Sequence, residues 1–220
     1  MPLVGDAGQR LKPRLRGVSH QYAAGVAAIA GLGLVVAAPT QRARLAMAVY
    51  ALALVSLFAT SALYHRITWP PSGRRRMRRL DHAMIFVLIA GTYTPFAVLV
   101  LSASSAAAVL VVAWGAALAG GGLQFAWSAA PKWVTALLCV AVGWVAVATL
   151  PELWHAVGPV AIALLVGGGA LYTLGAVTYA LRRPDPAPTV FGYHEVFHAL
   201  VIGAALLHFV AVAGWVLPRG

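Results

Sequence analysis

Apolar residues occur in seven long runs along the chain, and the segments between them are rich in proline, glycine and arginine. Each run has about the 20 residues that a helix needs to cross a bilayer. Prolines fall between the runs, where helices are expected to stop, with Pro151 between the fifth and the sixth. The pattern predicts an all-α, polytopic membrane protein with seven transmembrane helices, over residues 18–38, 43–65, 81–102, 106–127, 134–150, 157–181 and 193–217.

Composition supports a membrane location. The 220 residues are 61% hydrophobic and only 10% charged, whereas a soluble domain has about 25% charged residues. The net charge of +11 would suit nucleic acid, but no basic face alternates with aromatic residues, and we expect no nucleic-acid partner. Arginines that flank membrane helices and meet anionic headgroups explain the charge better. Cys139 is the only cysteine, which excludes an internal disulfide, and we expect it to serve packing.

The distribution of lysine and arginine predicts the orientation. With the N-terminus inside, thirteen of these residues lie on the cytoplasmic side and three, Arg42, Arg44 and Arg219, lie outside. We therefore expect residues 1–17 to be a basic cytoplasmic tail and residues 18–217 a single seven-helix domain in the bacterial plasma membrane. The first apolar run follows a basic stretch, as in a signal peptide, but its roughly 20 residues exceed the usual 7–15 of a signal-peptide core.

Ionisable side chains within the apolar runs are costly and by default indicate a functional site. Ser61 and His65 lie near the end of the second predicted helix, Asp81 opens the third, and His194 and His198 open the seventh. In the predicted topology all of these positions lie at cytoplasmic ends of helices. Residues that are distant in sequence are thus expected at one depth in the bilayer.

This set of residues fits a zinc site. His194 and His198 are four apart and share one helical face, and His65 supplies a third imidazole. Catalytic zinc sites have three protein ligands and leave the fourth position for water. Asp81 would hydrogen-bond within the site or act as the base that takes a proton from water, and Ser61 would hydrogen-bond there or orient a substrate carbonyl. The alternatives are that Asp81 caps its helix and that Ser61 only permits close helix packing.

The other histidines are weaker candidates. His20 opens the first helix and either borders the site or, as we favour, lies at the membrane interface. His82 is turned about 100° from Asp81, so we expect the two to face different points. His155 is expected in an external loop. His208 lies ten residues beyond His198, about 15 Å along a helix, too far for the same ion but suited to a buried hydrogen bond.

The sequence His194-Glu195-Val196-Phe197-His198 also matches the zincin signature, in which the glutamate is the general base. That interpretation suggests an intramembrane metalloprotease. Such a protease usually has an acidic ligand later in the chain, and no acidic residue follows Glu195. A third ligand must therefore come from an earlier helix, where His65 is the best placed.

Three motifs resemble the hemolysin III family, the bacterial branch of the progestin and adipoQ receptor proteins, which is similar in its motifs to the alkaline ceramidases. They are the segments at 61–65, with Ser61 and His65, at 80–95, from Leu-Asp-His to Gly-Thr-Tyr-Thr-Pro, and at 192–198. The resemblance implies a seven-helix fold with Zn²⁺ near the cytoplasmic face, held by His65, His194 and His198, with Ser61 and Asp81 beside its bound water. It also implies that Glu195 is not the base. Related sequences often carry acidic residues before the first helix, whereas this chain has Lys12, Arg14 and Arg16 there.

The functional hypothesis is a zinc-dependent, ceramidase-like hydrolase of amide or ester bonds in membrane lipids, with Asp81 as the proton acceptor and the lipid held within the helix bundle. One alternative is a non-enzymatic sensor of membrane state with structural zinc. Another is a membrane-damaging protein. The scarcity of polar residues at mid-membrane depth argues against a wide ion pathway.

Overall fold

The computed structural model describes residues 12–127 and 131–220. The greater part of the predicted 1–17 tail, including Asp6 and Arg10, lies outside these residues. Within them every regular element is helical and no strand occurs, apart from a single antiparallel bridge between Ala187 and Phe191. The predicted all-α class is confirmed. The α-helices are α1 (Val18–Ala37), α2 (Gln41–Arg66), α3 (Pro71–Leu99), α4 (Ala103–Ala126), α5 (Lys132–Gly143), α6 (Leu150–Leu181) and α7 (Tyr193–Ala211).

Six helical runs in the described chain are long and apolar enough to cross a membrane. Five of them correspond to α1, α2, α3, α4, and α7 with the π and 3-10 turns that follow it. The sixth is one 49-residue run, Trp133–Leu181, which joins the predicted fifth and sixth helices. A 3-10 segment, Val145–Thr149, lies where the second half of the predicted fifth helix was expected.

The third helix begins ten residues before Asp81, at Pro71, because proline suits the first turn of a helix. The arginine-rich stretch 74–79, expected between two helices, is therefore the first part of α3. Asp81 is not at a helix start, so the alternative that it caps α3 is wrong. A helix that continues past the membrane surface into polar residues is longer than the apolar run that predicts it.

The break in α6 is at Gly158, not at Pro151. Gly158 has φ 78° and ψ 176°, an extended left-handed conformation that only glycine adopts readily. Pro159 follows and cannot donate to the helical hydrogen-bond ladder. Pro151 instead occupies the first turn of α6, where its missing N–H costs nothing. His155, expected in a loop, consequently lies in the helical segment before this break.

Neighbouring helices in sequence pack together in the pairs α1–α2, α2–α3, α3–α4 and α6–α7, and α1 also touches α7. The core lies mainly between α2, α3, α6 and α7 with the turn that follows it, where Met47, Tyr50 and Val212 are almost fully buried. Phe86 is almost fully buried in a smaller cluster with Ala113 and Ala117 of α4. The start of α1, the end of α2 and the start of α7 meet at one end of the bundle. That meeting brings together residues that are up to 178 positions apart, from His20 to His198.

Candidate metal centre

Three histidines from two helices meet in the interior. His65 is in the last turn of α2, and His194 and His198 are in the first two turns of α7. The two Nε2 atoms of His65 and His194 are 3.0 Å apart. One ring nitrogen from each of the three residues lies within 4.8 Å of the others. None of the three residues is more than 8% exposed. The sequence placed these residues at one depth, and the structure brings them into contact.

The geometry of the three imidazoles fits a metal ion. Two imidazole nitrogens bound tetrahedrally to zinc at about 2.0–2.1 Å are roughly 3.3 Å apart, close to the separation between His65 and His194. In addition, Nδ1 of His198 is buried and has no hydrogen-bond partner among the described residues. A buried polar atom without a partner is costly. A neutral imidazole set of this kind suits zinc, although it also suits iron, nickel and copper.

Asp81 and Ser61 stand beside the histidines. Ser61 lies beside the Asp81 carboxylate and is itself buried. Oδ2 of Asp81 lies 3.9 Å from Nε2 of His65, so the carboxylate faces the histidine cluster from α3. The hydroxyl of Ser61 therefore stands next to the carboxylate at the polar end of the site.

His20 belongs to this cluster, and the expectation that it lies at the membrane interface is wrong. Its ring stacks on that of His198, with centroids 3.7 Å apart and planes within 7°. Phe58 meets the same ring edge-on at 5.0 Å, and His20 is only 3% exposed. A signal was available in the sequence: His20 opens the first helix at the same predicted end of the bundle as the other histidines.

Glu195 is turned away from the histidine cluster. Its carboxylate accepts a hydrogen bond from the backbone N–H of Gly192 at 2.8 Å, which completes a capping box at the start of α7. The same carboxylate forms an ion pair with Arg16. Glu195 thus stabilises the helix that carries two of the histidines. The basic segment before α1 supplies its partner.

The segment 12–17 covers His65. The N–H groups of Arg14 and Leu15 donate to the carbonyls of Thr189 and Val190 at 3.0 and 3.1 Å, which ties this segment to the connection before α7. Gly17 then turns the chain into α1 with φ 80°. A Cβ at Gly17 would lie only 2.6 Å from Cβ of His65. The turn therefore requires glycine both for its conformation and for its closeness to the histidine.

His82 and Asp81 line the same cavity but make different contacts, as their angular separation predicts. Nε2 of His82 is 3.3 Å from the hydroxyl of Tyr179 on α6. The Tyr179 ring lies 5.8 Å from that of His194. Tyr179 is a site residue that the sequence analysis missed. Its only sequence signal was its position near the end of the sixth predicted helix, at the depth of the other polar groups.

A cavity of about 140 Å³ extends from the histidine cluster into the bundle. Ser61, Asp81, His194 and His198 are at its polar end, and most of the remaining wall is apolar. His208 lines the deeper part and hydrogen-bonds the carbonyl of Leu165 through Nε2 at 3.1 Å, as its spacing suggested. Residues from five helices form the apolar wall, among them Leu57, Ile85, Leu88, Ala136, Cys139, Val140, Ala176 and Val201.

Comparison with known proteins identifies the family. A family model described as "Haemolysin-III related" matches residues 9–209 of the chain. The chain belongs to the hemolysin III family. It is similar to "Hemolysin-3" of Bacillus cereus, at 31% identity over 181 residues that make up 81% of this chain and 78% of that protein. It is also similar to "Hemolysin-3 homolog" of Bacillus subtilis (strain 168), at 27% identity over 166 residues, 74% of each chain.

The hemolysin III match spans every residue of the histidine cluster, from His20 to His198. Together with the six apolar helical runs it makes the chain a multi-pass membrane protein. Membership of the hemolysin III family does not itself define a reaction, so the chemistry has to be argued from the site.

Proposed function

We propose that the chain is a zinc-dependent membrane hydrolase that cleaves an amide or ester bond in a membrane lipid. The observation that carries this proposal is the position of His65, His194 and His198, with Asp81 beside them, at the polar end of an apolar cavity. These three histidines would hold the ion. A bound zinc ion supplies a Lewis acid that polarises a carbonyl and activates water.

Asp81 is the proton carrier in this proposal. In hydrolysis, the oxygen of water bonds to the carbonyl carbon, the bond to nitrogen or oxygen breaks, and one proton must move to the leaving group. A carboxylate within reach of the reacting atoms accepts that proton and then returns it. Ser61, which lies beside the carboxylate, would hold it in place by hydrogen bonding. Glu195 is excluded from this role because it is engaged by Gly192 and Arg16.

The apolar cavity would hold the acyl chain of the substrate. Ligand sites are usually mostly apolar cavities with a few polar groups that fix orientation. This cavity is mostly apolar, with Asp81, His194 and His198 at one end and His208 in its deeper part. A lipid whose chain enters the bundle would place its amide or ester bond at that polar end. The surrounding helices and segment 12–17 would exclude bulk water.

We also propose the finer topology, with seven crossings and a cytoplasmic N-terminus in the bacterial plasma membrane. A single straight helix of the 49 residues from Trp133 to Leu181 would be about 74 Å long, far more than the 30 Å or so of hydrocarbon. The 3-10 segment and the break at Gly158 divide it in a way that suits two crossings. The thirteen cytoplasmic Lys and Arg residues support this orientation. Reporter enzymes fused after residues 127 and 220 would test it.

The decisive experiment is metal analysis of the purified protein combined with a lipid hydrolysis assay. We expect about one zinc per chain and turnover of a lipid amide or ester that stops on chelation and returns with zinc. A protein that binds zinc but hydrolyses no member of a panel of membrane lipids would contradict the hydrolase proposal.

A second candidate function is a sensor of membrane state in which zinc is structural. The observation that favours it is the cover over the site: segment 12–17 crosses His65, and His20 stacks on His198. A closed site is typical of structural zinc. X-ray absorption spectroscopy separates the two candidates, because a fourth protein ligand supports the sensor and a coordinated water supports the hydrolase.

A further inference from the structure

A second cavity lies beyond the first, further from the histidine cluster. It has a volume of about 70 Å³, and its walls include Phe96 of α3, Val109 of α4 and Leu153 of α6. Phe96 follows Asp81 by 15 residues, a distance of about 22 Å along a helix. The second cavity therefore extends the open space within the bundle towards the end opposite to the candidate metal ligands.

Six residues line both cavities and form a partition between them. They come from α3, α6, α7 and the end of α5 with the residue after it, and they are Thr92, Tyr93, Gly143, Trp144, Gly169 and His208. Trp144 has the largest side chain of the six. It lies between α5 and the 3-10 segment, and its 37% exposure agrees with a ring that borders open space. The width of the passage between the cavities therefore depends chiefly on this indole.

The Trp144 ring is held against α6. Its indole N–H donates to the hydroxyl of Thr173 at 3.0 Å, and that hydroxyl donates to the carbonyl of Gly169 at 2.8 Å. A Cβ at Gly169 would lie 3.5 Å from the indole, so the ring passes close to the backbone of α6. The hydrogen bonds and this close approach give the indole a defined position between the two cavities.

The other two rings of the partition are tied to neighbouring elements as well. The Tyr93 hydroxyl donates to the carbonyl of Val142 at 3.1 Å and accepts from the N–H of Ala146 at 3.2 Å. Nε2 of His208 donates to the carbonyl of Leu165 at 3.1 Å. Hydrogen bonds in an apolar setting hold side chains firmly. The partition is therefore a constructed feature that joins α3, α5, α6 and α7.

The partition lies at a defined distance from the histidine cluster. His208 follows His198 by ten residues on α7, which is about 15 Å along a helix. An extended acyl chain that is anchored at the cluster and runs through the first cavity meets the partition after about that length. A longer chain has to pass Trp144 to reach the second cavity.

We propose that Trp144 sets the longest acyl chain that the first cavity accepts. This inference rests on the proposed function, because that function places the acyl chain of a lipid in the cavity with its amide or ester bond at the histidines. The preferred substrate is then a lipid whose acyl chain extends about 15 Å from the bond to be cleaved. Each methylene that the cavity buries strengthens binding by about fourfold, and this gain ends where the chain meets the indole.

The test measures binding of saturated fatty acids of increasing length, which are products of the proposed reaction. They displace a fluorescent fatty acid from the full chain in nanodiscs, and variants are compared at each length so that partitioning into the bilayer cancels. We expect the affinity of the unmodified protein to stop rising at a chain-length limit. Trp144→Ala should move this limit by at least about two methylenes, so that longer chains bind at least about tenfold more tightly than to the unmodified protein.

Two further variants control for size and for loosening of the fold. Trp154→Ala removes an equally large side chain that is 51% exposed and lines neither cavity, so affinities should change less than about twofold. Ala146 lines the second cavity, and Ala146→Leu combined with Trp144→Ala should fill that space and restore the original limit. Trp144→Phe, a smaller change, should move the limit in the same direction by less.

Three results would overturn the proposal. The first is a chain-length limit that folded Trp144→Ala and Trp144→Phe both leave unchanged. The second is a longer limit that persists when Ala146→Leu is added, because the gain would then not come from the second cavity. The third is an affinity that rises with chain length without a limit in the unmodified protein.

The same measurement separates this proposal from the hydrolase proposal. His65→Ala should lose the metal and any turnover, yet the limit should still differ between His65→Ala and His65→Ala/Trp144→Ala. A limit that moves with Trp144 in a protein that hydrolyses no lipid would refute the hydrolase alone. Lipid hydrolysis with the same limit in the unmodified protein and in Trp144→Ala would refute the role of Trp144 alone.

Discussion

Arg16, from the segment before the first helix, forms an ion pair with Glu195, which lies within the histidine sequence of the last helix and is 179 positions away. The pair is largely buried, with side-chain exposures of 19% and 2%. Arg16 thus pairs with Glu195, the residue that the zincin motif alone would assign as the catalytic base. The carboxylate that faces the histidines is Asp81, from a third helix.

The Arg16–Glu195 pair is predicted to stabilise the fold and to leave the chemistry unaffected. Arg16→Gln and Glu195→Gln should each lower the free energy of unfolding by about 1–3 kcal/mol, because each leaves a buried polar partner. The double variant should cost less than the sum of the two. Thermal unfolding in detergent measures the coupling. Zinc content and lipid turnover per folded molecule should persist in Glu195→Gln, and loss of turnover there would restore the zincin interpretation.

Asp81→Asn is predicted to remove turnover and keep the metal. The amide retains the shape and can still hydrogen-bond Ser61 but cannot accept a proton, so a loss of about 10²–10⁴-fold in kcat is expected. Asp185→Asn is the control, since it removes an exposed carboxylate at the same end of the bundle while keeping an acceptor for Tyr193. Full activity in Asp81→Asn would exclude this carboxylate as the proton carrier.

His65→Ala is predicted to abolish zinc binding, although it lies 129 positions from His194. Two imidazoles on α7 remain, but a site with two protein ligands binds zinc weakly. The exposed His155, towards the opposite end of the chain's helical bundle, provides the control as His155→Ala. Metal analysis after gel filtration checks both. Unchanged zinc in His65→Ala would show that the two histidines of α7 suffice.

His20 is predicted to position His198 through stacking. His20→Ala should weaken zinc affinity by about 10–100-fold, the usual effect of losing a group that orients a ligand. His20→Phe should restore most of that affinity, because a flat ring can still stack on His198. Competition with a zinc-binding dye gives the affinities. A failure of His20→Phe to rescue, with the fold intact, would instead indicate that a ring nitrogen of His20 is needed.

Gly17→Ala is predicted to destabilise the protein and loosen the cover over His65. Its backbone has a positive φ and its Cβ would overlap that of His65, so a cost of roughly 1–3 kcal/mol is expected. The comparison is Gly25→Ala, inside α1, where no other group lies within 4 Å. Alanine is favoured over glycine in helices by about 1 kcal/mol, so Gly25→Ala should be neutral or stabilising. Thermal unfolding distinguishes the two.

Much of the candidate site could be predicted because ionisable groups are so rare in this chain. Once the helices were ordered and oriented, His65, Asp81 and the two histidines of α7 could only be at the same end. His20 was not assigned to the site, because a single histidine at a helix start has no second ligand at a characteristic spacing and its place at the same predicted end of the bundle was the only signal. The contact between Arg16 and Glu195 was not predicted either, because local sequence patterns do not show which residues from the two ends of a chain will meet.

The first and last residues of the helices were less predictable, because an apolar run marks the part of a helix that lies in the membrane and not the whole helix. The first ten residues of α3 are helical but mostly polar, so no long apolar run marked them as part of a helix. In the region of α5 and α6 two prolines competed as break points. Only Gly158, with its positive φ before Pro159, allows the chain to turn, and sequence alone does not rank it above Pro151.

The hydrogen bonds from Arg14 and Leu15 to Thr189 and Val190 join the segment before the first helix to the connection before the last, so they can form only when both parts of the chain have been synthesised. The segment before the first helix is synthesised long before residues 189 and 190, to which it hydrogen-bonds in the folded protein. His65 is synthesised well before His194 and His198, so the three histidines can meet only after the last helix has been synthesised. If the three histidines hold zinc as proposed, the metal would bind only after the last helix has been synthesised, and a nascent chain stalled after the sixth helix would be unable to capture zinc.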